Sequence, residues 1–255
     1  TSLPNSKRAL QFSALGKLNP TVLNLKETSA NSICSVQSLN NYYQRDSNMR
    51  YLIFALLFAL IPSNLVSAQT QWQTMFNGKN LDGWRINESP DSFKVEDGCL
   101  IVEGPRGHAF YIGEDEKSAV NLTNFHFKAK VQTMPGANSG IYFHTKFLKS
   151  GWPNRGYEAQ VNNTQSDKKK TGGLYNVQDN FKAPVKDNEW FDYEIIVKGK
   201  HIVIKINGKT ISDYTEPAEL DRPERQLSSG TFAIQAHDPG SKVLYKDLMF
   251  QDLSK

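Results

Sequence analysis

From Gln69 to the C-terminus no window of ten or more residues keeps a helical period, whereas apolar and polar residues alternate at period two in one segment after another. Asn124-Phe125-His126-Phe127-Lys128-Ala129-Lys130-Val131 alternates throughout, and His201–Ile206 sets Ile202, Ile204 and Ile206 on one face. Asn207-Gly208 then interrupts the pattern before Thr210-Ile211 resumes it. Both turn positions tolerate positive φ, which predicts a tight hairpin. Lys198-Gly199-Lys200 reads as the turn from the preceding strand, 191–197. Further strands are expected at 140–145, 157–161, 230–235 and 242–250, divided by Gly-, Pro- and Asn-rich turns. The one helical expectation is a single turn over 217–220. Roughly a dozen strands in one domain predict an all-β fold of two packed antiparallel sheets, a β-sandwich or jelly roll. Such a fold often bends one sheet so that its outer face is concave and polar, and a ligand is expected on that face.

The first 68 residues are different material. Residues 49–68 read as a signal peptide: Arg50 gives a positive start, 51–61 is an unbroken apolar run, Pro62 breaks it, and Val66-Ser67-Ala68 has the small-x-small form of a cleavage site. The run has eleven residues, whereas spanning a bilayer takes about 20, so no stable membrane anchor is expected. Residues 1–48, rich in Ser, Asn, Thr and Leu without a sustained period, read as a disordered or spurious extension upstream of a start at Met49. The expected product is an exported domain over 69–255, periplasmic or extracellular, released by cleavage near Ala68.

Charge narrows the partners. The formal charge of +4 lies entirely before Gln69; the remainder holds 24 basic and 24 acidic residues. Nucleic-acid binding needs a basic face, so nothing in the charge favours it. Lys168-Lys169-Lys170 reads as a solvated loop. Cys34 lies upstream of the cleavage point, so Cys99 stands alone in the domain and reads as a small buried hydrophobe opening an apolar strand.

The common catalytic templates are missing from this sequence. It has no phosphate-binding Gly-rich loop, no zinc-spaced Cys pair, no His-Glu-x-x-His and no Gly-x-Ser-x-Gly elbow. What remains are polar residues inside strands. Glu158 and Gln160 share one face of 157–161; Tyr142 and His144 share one face of 140–145; Gln235 pairs with His237; Tyr175 follows Thr171-Gly172-Gly173-Leu174. Brought together, these side chains donate, accept and stack, which suits a hydroxyl-rich ligand. His108 and His201 each neighbour a turn and read as solvated, and His126 reads as facing outward.

Taken in order, Phe76-Asn77-Gly78-Lys79-Asn80-Leu81-Asp82-Gly83-Trp84, Val95-Glu96-Asp97-Gly98-Cys99-Leu100, Asn138-Ser139-Gly140-Ile141-Tyr142-Phe143, Gly156-Tyr157-Glu158-Ala159-Gln160, Thr171-Gly172-Gly173-Leu174-Tyr175, Glu189-Trp190, Ile206-Asn207-Gly208 and Gly230-Thr231-Phe232-Ala233-Ile234-Gln235-Ala236-His237 resemble the 3-keto-disaccharide hydrolase domain. The resemblance implies a concanavalin A-like, laminarinase-like β-sandwich. It also implies a carbohydrate substrate, a glycoside oxidised at C3, that is cleaved by a lyase or a hydratase step, together amounting to hydrolysis. A ketone at C3 acidifies the C2 proton, so the chemistry needs a base, a donor or cation for the enolate, and departure of the C1 substituent. On this resemblance His237, Glu158 and His144 are the candidates for base, acid or metal ligand. Gln160, Gln235, Tyr142, Tyr175 and Asn138 are the candidates for substrate binding. His and Glu on adjacent strands could hold a divalent cation. The family commonly has Arg where His144 stands, and an Arg-containing closing motif where this chain has Tyr245-Lys246-Asp247-Leu248. The alternative on the same fold is a non-catalytic carbohydrate-binding module, which would present exposed aromatics such as Trp152 over a shallow groove.

Overall fold

The computed structural model describes residues 71–113, 120–222 and 225–254. The expected extension 1–48 and signal peptide 49–68 lie outside the described residues. The strands are β1 (Gln73–Thr74), β2 (Trp84–Ile86), β3 (Phe93–Glu96), β4 (Cys99–Glu103), β5 (Gly107–Tyr111), β6 (Phe125–Thr133), β7 (Asn138–Thr145), β8 (Tyr157–Asn162), β9 (Phe191–Lys198), β10 (His201–Ile206), β11 (Lys209–Thr215), β12 (Thr231–Ala236) and β13 (Lys242–Asp252). They form the expected all-β sandwich of two antiparallel sheets. One sheet runs β11-β10-β9-β6-β13-β4-β3 with β1 added on β13, and the other runs β2-β5-β12-β7-β8. Every strand pairing is antiparallel.

The two sheets differ in a way that places the site. In the larger sheet the alternation has its ordinary meaning. Phe125, Phe127, Ala129 and Val131 of β6, Phe191, Tyr193, Ile195 and Val197 of β9, and the three isoleucines of β10 enter the core, while the intervening residues face outward. In the smaller sheet, β7, β8 and β12 are buried on both faces. Ile141, Phe143, Ala159, Val161, Phe232 and Ile234 belong to the sandwich core. Their alternates are mostly polar and lie on the outer face beneath covering loops. There Phe110, Tyr142 and Ala233 make a second, small apolar cluster under Phe147 and Leu148.

Local structure follows the turn chemistry. Asn207 and Gly208 both have positive φ, 49° and 75°, and join β10 to β11 as expected. Cys99 is buried and free at the start of β4. The expected turn of helix over 217–220 is absent; a bend stands there, and the helical residues described are the 3-10 turn Pro90–Ser92.

Register shifts interrupt the β10–β11, β7–β12 and β6–β13 pairings, and the last two bear on the expected site residues. In β13 the break falls between Lys246 and Met249, with Asp247 at φ 53°, so that Tyr245 and Leu248 both point inward. This places Lys246, in the segment where the family commonly carries an Arg, on the larger sheet with its ammonium over the Trp190 ring. In β7, Phe143 pairs with Phe232 and Thr145 with Thr231, leaving His144 unpaired at φ 54°.

Candidate active site

The floor of the site is the outer face of β5, β12, β7 and β8. Cross-strand register sets Tyr142 beside Glu158 and Gly140 beside Gln160, and Gln235 beside His108. Glu158 and Gln235 lie two strands apart, yet their side chains meet above Gly140. A Cβ there would stand 2.4 Å from Glu158 Oε1, so only hydrogen leaves the lane open. Gly140→Ala is expected to displace the carboxylate and to lower unfolding free energy by about 1–3 kcal/mol, the usual effect of overpacking, measured by urea denaturation.

Glu158 is 5% exposed and its carboxylate is held on both oxygens. Tyr142 Oη donates to Oε2 at 2.8 Å, and Gln235 Nε2 donates to Oε1 at 3.0 Å and to Tyr142 Oη at 3.0 Å. Burial nevertheless pushes the Glu158 carboxyl above its ordinary range, against the hydrogen bond from Tyr142 and the Arg225 charge. Burial, then the neighbouring carboxylate, drives the Tyr142 phenol well up, so that it stays protonated as a donor. Gln160 Nε2 donates to Asn138 Oδ1 at 2.8 Å. The side-chain Oε1 atoms of Gln160 and Gln235 are buried acceptors with no hydrogen-bond partner among the described residues.

His237 stands at the rim, just past the end of β12, with its side chain 32% exposed. Its Nδ1 lies 2.7 Å from Asp238 Oδ2. A carboxylate only accepts, so Nδ1 carries the hydrogen and the proton-transfer nitrogen is Nε2. Burial pushes the Asp238 carboxyl up, but hydrogen bonds from His237, Ser241 and the Gly240 amide bring it below its ordinary range. Asp238 therefore remains an anion that fixes the imidazole.

The cavity over this floor has a volume of about 270 Å³ and is lined by Asn138, Tyr142, Glu158, Gln160, Gln235, Tyr175 and His237, all of them expected. His144 does not join them. The bulge turns it away: its ring packs on Phe125, Nε2 donates to the Thr123 carbonyl at 3.1 Å, and Nδ1 accepts from the Ser228 amide at 3.2 Å. Period-two alternation put it beside Tyr142, and one residue at positive φ breaks that alternation. His144 is therefore turned away from the cavity that Glu158 lines. Among the described residues, no three His, Cys, Asp or Glu side chains are arranged to hold a metal ion.

Two further expectations are corrected. His108 is fully buried, packed at 5.5 Å from Tyr142 and 5.6 Å from Trp152, with both ring nitrogens unpartnered. Burial pushes its pKa down to about 4, so it is a neutral ring. Its neighbouring turn suggested solvent, but Trp152 covers it. Gly151 donates to Glu88 Oε2 and Arg106 to Glu88 Oε1, which fixes the covering segment. The triple-lysine run is not a plain solvated loop either. Lys169 lies over the Tyr175 ring, and Lys170 Nζ donates to the carbonyls of Gln165 and Asp167, shaping the wall that bears Asp167 and Tyr175. His201 pairs with Asp213 on the surface and His126 with Glu194 on the outer face, as their positions implied.

The walls contain three residues that strand patterning did not place in a catalytic pocket: Trp152, Asp167 and Arg225. All come from irregular segments, where no periodicity reports which way a side chain points. Trp152 is 42% exposed and its ring lies 5.5 Å from that of His237.

Among the solved structures that share this fold are two of candidate glycosyl hydrolases from Parabacteroides distasonis ATCC 8503. One is 23% identical with a TM-score of 0.60, covering 72% of this chain and 94% of its own. The other is 21% identical with a TM-score of 0.55, covering 72% of this chain and all of its own. No curated protein matches the chain. Residues 71–251 match the model of the 3-keto-alpha-glucoside-1,2-lyase-like domain, and the chain belongs to that carbohydrate-acting family.

Proposed function

We propose that the protein cleaves 3-keto-glycosides by elimination across C1 and C2 of the oxidised sugar. The observation that carries this reading is the pairing, in one cavity, of a buried carboxylate with raised pKa and a rim imidazole tied to an aspartate. Glu158, deep on the floor, takes the C2 proton. The C–H electron pair moves into the C2–C3 bond and the charge settles on the C3 oxygen. The ketone then re-forms, C1 and C2 become doubly bonded, and the C1–O bond breaks. His237, at the open edge where an aglycone would lie, enters the step as the imidazolium, with Nδ1–H held by Asp238, and becomes neutral as its Nε2 proton passes to the departing oxygen. The products are the alcohol and a 2-hydroxy-3-keto-glucal, and addition of water across the new double bond completes net hydrolysis. The unpartnered side-chain carbonyls of Gln160 and Gln235 suit sugar hydroxyl donors. A cavity at or below the lower end of the roughly 300–1,000 Å³ typical of ligand pockets suits one ring rather than a chain.

A carbohydrate-binding module is the second reading, favoured by the half-exposed Trp152 at the mouth. Incubation with 4-nitrophenyl 3-keto-glucoside and with unoxidised 4-nitrophenyl glucoside separates the two. Nitrophenolate release from the keto compound alone is expected. Binding of both without release supports the module, and cleavage of the unoxidised compound makes the protein an ordinary glycosidase.

A further inference from the structure

An elimination through an enolate puts a full negative charge on the C3 oxygen, and a site that accelerates it must aim a donor or cation there. The polar groups of the floor are turned elsewhere. Tyr142 spends its hydrogen on Glu158, Gln235 Nε2 bonds Tyr142 and Glu158, Gln160 Nε2 bonds Asn138, and His237 Nδ1 bonds Asp238. Asn138, Trp152 and Tyr175 also bear N–H or O–H groups, but these carry no charge. Among the residues lining the cavity Arg225 is the permanent cation, and its Nη1 is buried without a hydrogen-bond partner among the described residues. Its field reaches both Glu158 and Tyr142.

The backbone on its C-terminal side is anchored. The Leu227 amide donates to Glu216 Oε2 at 2.5 Å and the Ser228 amide to His144 Nδ1 at 3.2 Å. Glu216 is in turn held by the Tyr157 hydroxyl and by Lys200. His144, turned out of the cavity by its bulge, thus helps to fix the segment that brings a guanidinium into it.

Resting on the proposed elimination, we infer that Arg225 is the catalytic cation that stabilises the enolate, its Nη1–H donating to the C3 oxygen of the oxidised sugar as C2 loses its proton. A charge-assisted donor directed at developing charge acts in the transition state more than in the ground state. The loss should therefore fall on kcat.

The test uses Arg225→Gln, Arg225→Lys and Arg225→Ala with 4-nitrophenyl 3-keto-glucoside, after thermal melts confirm that each variant is folded. Arg225→Gln is expected to lower kcat about 100- to 1,000-fold, the range for losing one oxyanion donor, with KM within about threefold. Arg225→Lys, which keeps the charge but not the fork, should fall between wild type and Arg225→Gln. Added guanidinium should restore part of the activity of Arg225→Ala. If Arg225→Gln keeps kcat within threefold of wild type, or loses only KM, the assignment is overturned and the proposed function stands. If the wild-type protein leaves the keto-glucoside intact, both are overturned.

Discussion

Glu158→Gln is expected to lower kcat/KM on a 3-keto-glucoside by about three orders of magnitude while leaving the protein as stable as before or more so. The first half follows from the loss of the base, since a positioned general base contributes about 10²–10⁴ in rate. The second follows from burial. The carboxylate is 5% exposed and its pKa is raised, so its ionised form costs the folded state free energy. An amide of the same shape removes that cost, and its carbonyl still accepts from Tyr142, while one donor around it loses a partner. Most core changes lose stability and activity together; here the two should separate. The measurement pairs steady-state turnover with urea unfolding of both proteins at pH 7. Activity within tenfold of wild type would remove Glu158 from the chemistry. The same ionisation sets the acid side of the pH profile. Activity needs the carboxylate, so kcat/KM should fall as pH drops through a midpoint above the ordinary carboxylate range.

Acid should destabilise the fold at pH values above those at which its ordinary carboxylates titrate. His108 and His144 are buried neutral, each with its pKa pushed by burial from 6.5 to about 4. Between those values the unfolded chain binds a proton on each histidine that the native state refuses. Stability is therefore complete above about pH 6.5 and is lost as pH falls towards 4. The shift corresponds to about 3 kcal/mol for each histidine, at about 1.4 kcal/mol per pKa unit. Glu158 works in the opposite sense, because its raised pKa makes the protonated folded state the favoured one as pH falls. Glu216 and Asp238, with lowered pKa values, lose their contribution only below the ordinary carboxylate range. From pH 6.5 to 5 the imidazoles therefore act against Glu158 alone among these carboxylates, and a Glu158→Gln background removes that opposing contribution. Urea midpoints should fall steeply across this interval in that background, and less steeply once it also carries His108→Leu, which removes a ring with no hydrogen-bond partner. A flat profile, or an unchanged slope in His108→Leu, would contradict the buried neutral state.

Strand alternation and the path of the irregular segments determine different parts of this molecule. Alternation in 124–131 and 201–206 reports a face, and burial decides which face is the core, so the sandwich was legible from the strands alone. Glu158, Gln160, Tyr142 and Gln235 were legible for the same reason, because each occupies the polar phase of a regular strand and antiparallel register makes them neighbours. His144 lies on the same formal phase, but alternation assumes that no residue is inserted, and a bulge at φ 54° inserts one. His108 failed differently. Nearness to a turn points to solvent, and what buries it is Trp152, more than forty positions along the chain. Arg225 and Asp167 lie on segments without a period, where only the three-dimensional path decides what faces the cavity.

Cleavage of a 3-keto-glucoside carrying deuterium at C2, compared with its undeuterated form, tests the central claim most directly. Abstraction by Glu158 predicts slower release of the aglycone from the labelled substrate, and a sugar product from which the label has passed to solvent. Equal rates, with deuterium still on C2 of a hydrolysed sugar, would mean that the bond breaks by displacement at C1 and that the carboxylate over Gly140 serves some other purpose.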